Sequence, residues 1–119
     1  MVGALRDGLG DAWKQTTVLV ATEFGRTAAA NGTGGTDHGT ASAAMLLGGA
    51  VNGGKVLADW PGLDQRALYE ERDLRPTLDL DALMATSAAE AFRLDPELVK
   101  RTLFPDRPRN KAIRDLVRA

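Results

Sequence analysis

One loop of the sequence brings together residue types that can do chemistry. The single histidine of the chain, His38, directly follows Asp37 in a glycine-rich polar stretch at residues 31–40. Glu23 lies upstream, just after an apolar run at residues 18–21. Carboxylate oxygens and neutral imidazole nitrogens are ligands for zinc, manganese and other divalent cations. Glu23, Asp37 and His38 are therefore candidate metal ligands, and a metal held there could activate water or polarise a phosphoryl or sulfuryl oxygen.

A more ordinary interpretation of the same loop stays open, because an Asp-His pair in a loop is more often a surface or capping feature than a metal site. The loop glycines would let backbone approach a ligand closely. The loop is not a Walker phosphate loop, since no Gly-Lys-Ser/Thr follows the glycines, and the chain has no G-x-S-x-G motif for a serine nucleophile. Its polar side chains Arg26, Asn31 and Thr36 are candidate substrate-binding residues.

Length and composition exclude several classes of protein. The chain has 119 residues, enough for a single domain at residues 1–119, with 44% hydrophobic and 26% charged residues, which is ordinary for a globular protein. Its net charge of -1 gives no basic field for nucleic acid, and the basic residues near the end (Arg107, Arg109, Lys111, Arg114 and Arg118) are interpreted as a solvated tail. The absence of cysteine excludes disulfides and thiolate metal sites. No apolar run is long enough to cross a bilayer, and no signal peptide is visible.

Hydrophobic periodicity predicts helices at both ends of the chain and strands between them. Residues 2–13 and 80–92 show the three-to-four spacing of amphipathic helices, with Asp79 as a candidate N-cap of the second. Asp95-Pro96-Glu97 predicts another helix start. Residues 17–22 are predicted to form the most buried strand, packed against one of the two amphipathic helices. Further predictions are a strand at 43–51, a hairpin turn at Asn52-Gly53, a return strand at 54–60 and a short last helix around 113–117.

Several motifs of the chain together resemble one known family. They are Thr22-Glu23-Phe24-Gly25-Arg26-Thr27, Gly35-Thr36-Asp37-His38-Gly39-Thr40, Leu47-Gly48-Gly49-Ala50-Val51, Asp59-Trp60-Pro61-Gly62-Leu63 and Arg72-Asp73-Leu74 with Pro76-Thr77. The chain looks like the C-terminal part of the bacterial domain-of-unknown-function 1501 family, whose members are sulfatase-like and related to the alkaline phosphatase superfamily. The resemblance covers nearly the whole chain.

The resemblance implies a partial α/β/α sandwich, an alkaline-phosphatase-like fragment of about three mostly parallel strands with flanking helices. It also implies divalent metals (Zn, Mn or Ca) at the strand ends. In the wider superfamily a strand ends in a metal-binding Asp-His pair, and a later loop supplies a further histidine. By position, Glu23-Phe24 stands at the place of that pair and His38 at the place of the later histidine. Phe24 cannot bind metal, so one ligand of the superfamily pattern is missing.

Two functional hypotheses follow from these observations. The first is a sulfatase- or phosphatase-like domain that is not catalytic as an isolated chain and serves binding or assembly. The second is a metal-dependent phosphoric or sulfuric ester hydrolase with its site at Glu23, Asp37 and His38. Family members are longer and exported, so the chain is expected to be a C-terminal piece, and the resemblance suggests a periplasmic location. We expect its partner to be a second copy of the chain or a missing N-terminal half, because strand edges and apolar faces must be covered.

Overall fold

The computed structural model of the chain describes residues 1–108 and 111–118. Arg109 of the predicted basic tail lies outside the described residues. The chain divides into two units. The first consists of Met1–Val20, Met45–Lys55 and Leu80–Ala119, and the second of Ala21–Ala44 and Val56–Asp79. Helices and two small antiparallel sheets make up the described residues, which is a partial α/β fold.

Three α-helices lie in the first unit: α1 (Val2–Leu9), α2 (Leu80–Phe92) and α3 (Pro96–Leu103). The predicted helix at 80–92 is confirmed at both ends. The first helix ends earlier than predicted, because the chain continues from Gly10 to Gln15 as a 3-10 helix. Asp95 caps α3 as its sequence predicts, since its carboxylate accepts a hydrogen bond of 2.7 Å from the Leu98 N–H with Pro96 at the first helical position.

Alanines and one valine form the core of the first unit. Ala85 and Ala89 of α2 are buried together with Val99 of α3, and Ala88 and Phe104 pack against them. Small side chains on α2 leave room for the facing helix to approach, since the distance between two helix axes depends on the side chains at their contact. This core contact is therefore between two helices adjacent in sequence.

The first sheet pairs strand β1 (Val18–Val20) with strand β4 (Met45–Leu47) in antiparallel register, with Leu19 opposite Leu46. Both strands were predicted, at greater length. As predicted, β1 is the most buried of the described strands, since each of the other three has an exposed residue. It is only half-buried, however, and Ala21 and Thr22 are exposed, so the expected burial on both faces is wrong. A two-stranded sheet cannot cover both faces of a strand, whereas the predicted burial required helices on both faces.

Residues 111–118 are not helical. Val117 forms an antiparallel bridge with Val51, and the Asn52 N–H donates to the Leu116 carbonyl over 2.8 Å. The predicted short helix around 113–117 is therefore wrong. The predicted hairpin at Asn52-Gly53 with a return strand at 54–60 is wrong for the same reason. Asn52 donates its backbone and side-chain N–H groups to residues 115 and 116, so it serves a long-range pairing instead of a turn.

The second sheet lies in the second unit and pairs strand β2 (Gly25–Arg26) with strand β3 (His38–Gly39). A 3-10 helix at Gln65–Ala67 and a tight turn closed by an antiparallel bridge between Tyr69 and Asp73 follow later in the chain. Both sheets of the described residues are antiparallel, which corrects the mostly parallel sheet implied by the family resemblance. No helix within residues 1–108 and 111–118 is long and apolar enough to cross a membrane.

Candidate functional site

The hairpin formed by β2 and β3 positions five of the six predicted site residues. Its register places Arg26 opposite His38 and Gly25 opposite Gly39. Beyond the strands the pairing continues, because the Thr27 N–H donates to the Asp37 carbonyl over 3.0 Å and the Asp37 N–H donates to the Thr27 hydroxyl over 3.1 Å. The loop that carries Asp37 and His38 is thus tied to the segment after Glu23.

Close backbone approach explains the glycines of both motifs. A Cβ atom on Gly25 would lie 1.8 Å from the Ala41 carbonyl oxygen, and one on Gly39 would lie 2.8 Å from the Arg26 carbonyl carbon. Both neighbours are backbone atoms, so neither can rotate away. The hairpin therefore requires glycine at these two positions for steric reasons alone.

His38 presents its ring on one face of the hairpin. Its imidazole stacks on the Phe24 ring, with ring centroids 5.0 Å apart and an interplanar angle of 16°. Phe24 and His38 are both exposed. Arg26, the cross-strand partner of His38, donates from Nη1 to the Thr36 carbonyl over 3.0 Å, which fixes its guanidinium to the loop. The result is an exposed surface with a cation and two stacked rings, which we call the ring surface (Phe24, Arg26 and His38).

The Asp37 side chain contacts Asn31 rather than Phe24. Its Oδ1 accepts a hydrogen bond of 3.0 Å from the Asn31 side-chain amide, whereas the next side chain, His38, stacks on Phe24. Successive side chains of an extended strand point to opposite faces, so adjacent Asp37 and His38 do not converge on one point. This alternation is the physical obstacle to a metal site made from this pair.

Asn31 organises the loop from within. Its Oδ1 accepts hydrogen bonds from the Thr33 N–H (3.1 Å), the Thr33 hydroxyl (2.9 Å) and the Gly35 N–H (3.0 Å). The Asn31 backbone N–H donates to the Gly35 carbonyl over 2.8 Å. An asparagine that bonds to backbone two residues ahead is a common turn device, and the Asn31-Gly32 pair carries that signal in the sequence. Asn31 thus forms most of its hydrogen bonds within the loop. Thr36, in contrast, is exposed, and its carbonyl oxygen accepts a hydrogen bond from Arg26.

Glu23 is exposed at the start of the hairpin segment. Among residues 1–108 and 111–118, no three His, Cys, Asp or Glu side chains lie close enough together to hold a metal ion. The predicted ligand set Glu23, Asp37 and His38 is thus not gathered into one group in this structure.

A buried carboxylate behind the hairpin was missed by sequence reasoning. Asp73 is 1% exposed, although the charged run at residues 70–73 predicts a solvated loop. Its Oδ2 accepts a hydrogen bond of 2.9 Å from the Thr40 hydroxyl, and Thr40 directly follows β3. The signal that could have identified Asp73 is its place in the Arg72-Asp73-Leu74 motif, since charge alone does not separate a buried aspartate from a solvated one.

Comparison with known proteins places the chain in a family. Residues 1–103 match the family described as "Protein of unknown function (DUF1501)", and the chain belongs to that family. No curated protein and no solved structure matches the chain. The resemblance drawn from the Glu-Phe-Gly-Arg and Asp-His-Gly motifs is thus confirmed at the level of the family.

Proposed function

We propose that this chain is a sulfatase- or phosphatase-like domain that binds an ester oxyanion at the ring surface and does not hydrolyse the ester as an isolated chain. The observation that carries the proposal is the joint placement of Arg26 and the Phe24–His38 stack on one hairpin. Phosphate and sulfate esters combine a charged oxyanion with an organic group. The ring surface offers a complementary group for each of these two parts.

The guanidinium of Arg26 supplies the recognition of charge. Arginine carries five N–H donors in a planar fork that matches oxyanion geometry. One of these donors bonds to the Thr36 carbonyl oxygen, which holds the fork in place and reduces the entropy lost when a ligand binds. The stacked rings of Phe24 and His38 supply an apolar platform beside it, since aromatic faces favour offset or stacked contact with an aryl group.

The same geometry favours binding over catalysis for the isolated chain. Hydrolysis of such esters needs a nucleophile and a stabiliser for the developing negative charge. The chain has no serine elbow motif, and the resemblance assigns the nucleophile of the superfamily to a different part of longer proteins. Asp37 is oriented by Asn31 and is directed away from the His38 ring, so this pair does not act on one atom.

The alternative is a metal-dependent phosphoric or sulfuric ester hydrolase that uses Glu23, Asp37 and His38 with zinc, manganese or calcium. It is supported by the exposure of all three side chains, which leaves them accessible to ligands from a partner chain. In that case the partner completes the site, and the family resemblance suggests a periplasmic location for the assembly.

Ester binding and turnover by the purified chain test both proposals. The His38 imidazole is the single histidine signal in NMR spectra and reports directly on the ring surface. We expect 4-nitrophenyl phosphate or sulfate to shift this signal saturably, with no release of nitrophenol when Zn²⁺, Mn²⁺ or Ca²⁺ is added. Arg26→Ala should abolish the saturable shift, while Arg66→Ala, which removes an exposed arginine outside the hairpin, should leave it unchanged.

Two results would contradict the proposal. A His38 signal that does not respond to either ester would remove the binding function. Metal-dependent release of nitrophenol that is lost in His38→Ala would instead establish the hydrolase alternative, and equilibrium dialysis would then measure the bound metal per chain.

A further inference from the structure

A tight turn in the second unit is built around Asp73. Tyr69 and Asp73 exchange two backbone hydrogen bonds, from the Tyr69 N–H to the Asp73 carbonyl (2.8 Å) and from the Asp73 N–H to the Tyr69 carbonyl (2.9 Å). Between them Glu70 and Glu71 both adopt positive φ, 51° and 57°. The left-handed region is unfavourable for glutamate, so the surrounding contacts must maintain this turn.

The turn is fastened to the hairpin segment by its backbone. The Arg72 carbonyl oxygen accepts hydrogen bonds from the N–H groups of Ala28 (3.0 Å) and Ala29 (3.2 Å), which follow β2 in the chain. Thr27 lies just before them and bonds to Asp37 through its backbone and its hydroxyl. A continuous chain of hydrogen bonds thus runs from the turn to the residue that precedes His38.

The Asp73 side chain makes a second connection, to the other strand. Its carboxylate is buried, with 2% of the side chain exposed, and its Oδ2 accepts from the Thr40 hydroxyl at 2.9 Å. Its Oδ1 accepts no hydrogen bond from the described residues and lies 3.5 Å from Arg72 Nε. A buried carboxylate with so few donors is costly unless its one strong contact is kept. The Thr40 hydroxyl is that contact.

We infer that Asp73 is a positioning residue that holds the end of β3 through Thr40 and thereby orients the His38 ring against Phe24. Thr40 directly follows β3, at a bend of the chain, and lies two residues after His38. Fixing its side chain therefore fixes the point at which the chain leaves the strand that carries the ring. The relevance of this positioning to ester binding rests on the proposed function, whereas the positioning itself does not.

The position of the His38 ring can be measured without any ligand. A ring stacked on a phenylalanine shows carbon-bound proton signals displaced by the ring current of its neighbour, and the chain has one histidine. We expect Thr40→Val to reduce this displacement by at least half, and Asp73→Asn to reduce it as well. Thr40→Ser keeps the hydroxyl and should restore the wild-type displacement. Ser42→Ala, a change of an exposed hydroxyl two residues further on, is the matched control.

Loss of folding is separated from loss of positioning by far-UV circular dichroism and by the other resonances of each variant. If Asp73→Asn fails to fold, the pair Thr40→Val and Thr40→Ser still decides the question. A His38 displacement in folded Thr40→Val equal to that of the wild type would overturn the inference. A displacement lost equally in Thr40→Ser would also overturn it, because the effect would then not depend on the hydroxyl.

Ester titration of the same variants separates this inference from the proposed function. If the wild type does not respond to the esters but Thr40→Val still loses the displacement, the proposed function fails and the positioning role stands. If the wild type binds ester and Thr40→Val keeps both binding and displacement, the positioning role fails and the proposed function stands.

Discussion

The steric role of Gly25 gives the most direct test at the scale of single residues. A methyl group there would overlap the Ala41 carbonyl oxygen at 1.8 Å. We expect Gly25→Ala to separate the hairpin from residue 41, to abolish the ring-current displacement of His38 and to lower the free energy of unfolding by about 1–3 kcal/mol. Urea unfolding monitored through the His38 signal measures both effects.

The control for this substitution is Gly32→Ala, because a Cβ atom at Gly32 would meet nothing within 4 Å. Its unfolding midpoint and His38 signal should match those of the wild type. A Gly25→Ala variant with an unchanged His38 signal would show that the backbone accommodates the methyl group, and the steric explanation of the Glu-Phe-Gly motif would then be wrong.

The roles of some single residues could be predicted from the sequence, whereas those of others could not. Asp95 was predictable as a helix cap because its role depends on the three residues after it, and its bond to the Leu98 N–H confirms it. The role of Asp73 depends on Thr40, which lies 33 residues away in the chain, so no local pattern reveals it. Asp37 and His38 were recognised as a pair, but their different contacts follow from the pairing of Asp37 with Thr27 and of His38 with Arg26, which the sequence of the glycine-rich loop does not predict.

At the scale of elements, Glu90 of helix α2 holds residues 115–117 against that helix. Its two carboxylate oxygens accept hydrogen bonds from three consecutive backbone N–H groups, those of Asp115 (2.9 Å), Leu116 (2.7 Å) and Val117 (2.8 Å). Bonds to a charged acceptor are stronger than neutral ones. These contacts replace the helical hydrogen bonds that the sequence predicted around residues 113–117.

Removal of that carboxylate should release the C-terminal segment. We expect Glu90→Ala to lower the free energy of unfolding by on the order of 3 kcal/mol, since hydrogen bonds to charged groups contribute about 1.5–3 kcal/mol each and are not additive. The backbone amides of residues 115–117 should exchange with solvent much faster. Glu97→Gln, a change of an exposed glutamate on α3, should leave that exchange rate unchanged. Unchanged protection of all three amides in Glu90→Ala would contradict the assignment.

The elements that could be predicted are those whose hydrogen bonds are local. Helix α2 matched its sequence prediction at both ends and α3 began at the predicted proline, because periodicity and capping signals lie within the helices themselves. The wrong predictions, a return strand at 54–60 and a helix at the end of the chain, both concern Asn52. Its pairing with residues 115 and 116 joins segments about sixty residues apart, and local pattern carries no information about such pairing.

At the scale of the whole molecule, the chain leaves much apolar surface in contact with water. Large exposed apolar side chains include Val56 (90% exposed), Phe92 (75%) and Trp60 (63%), while alanines make up three of the eight buried apolar residues of the described part. Apolar side chains of this size lose their contact with water when a partner covers them.

We therefore expect the chain to associate with a second copy when no other partner is present. An interface of standard size buries roughly 800 Å² on each partner, and the apolar part of that area favours burial at about 25 cal/mol per Å². Sedimentation equilibrium at micromolar concentration should give an average mass above 12.6 kDa that rises with concentration.

Phe92→Ser, which removes an exposed aromatic side chain at the end of α2, should weaken the association if that face takes part, and Glu97→Ser is the matched polar control. A mass of one chain at every concentration would contradict self-association.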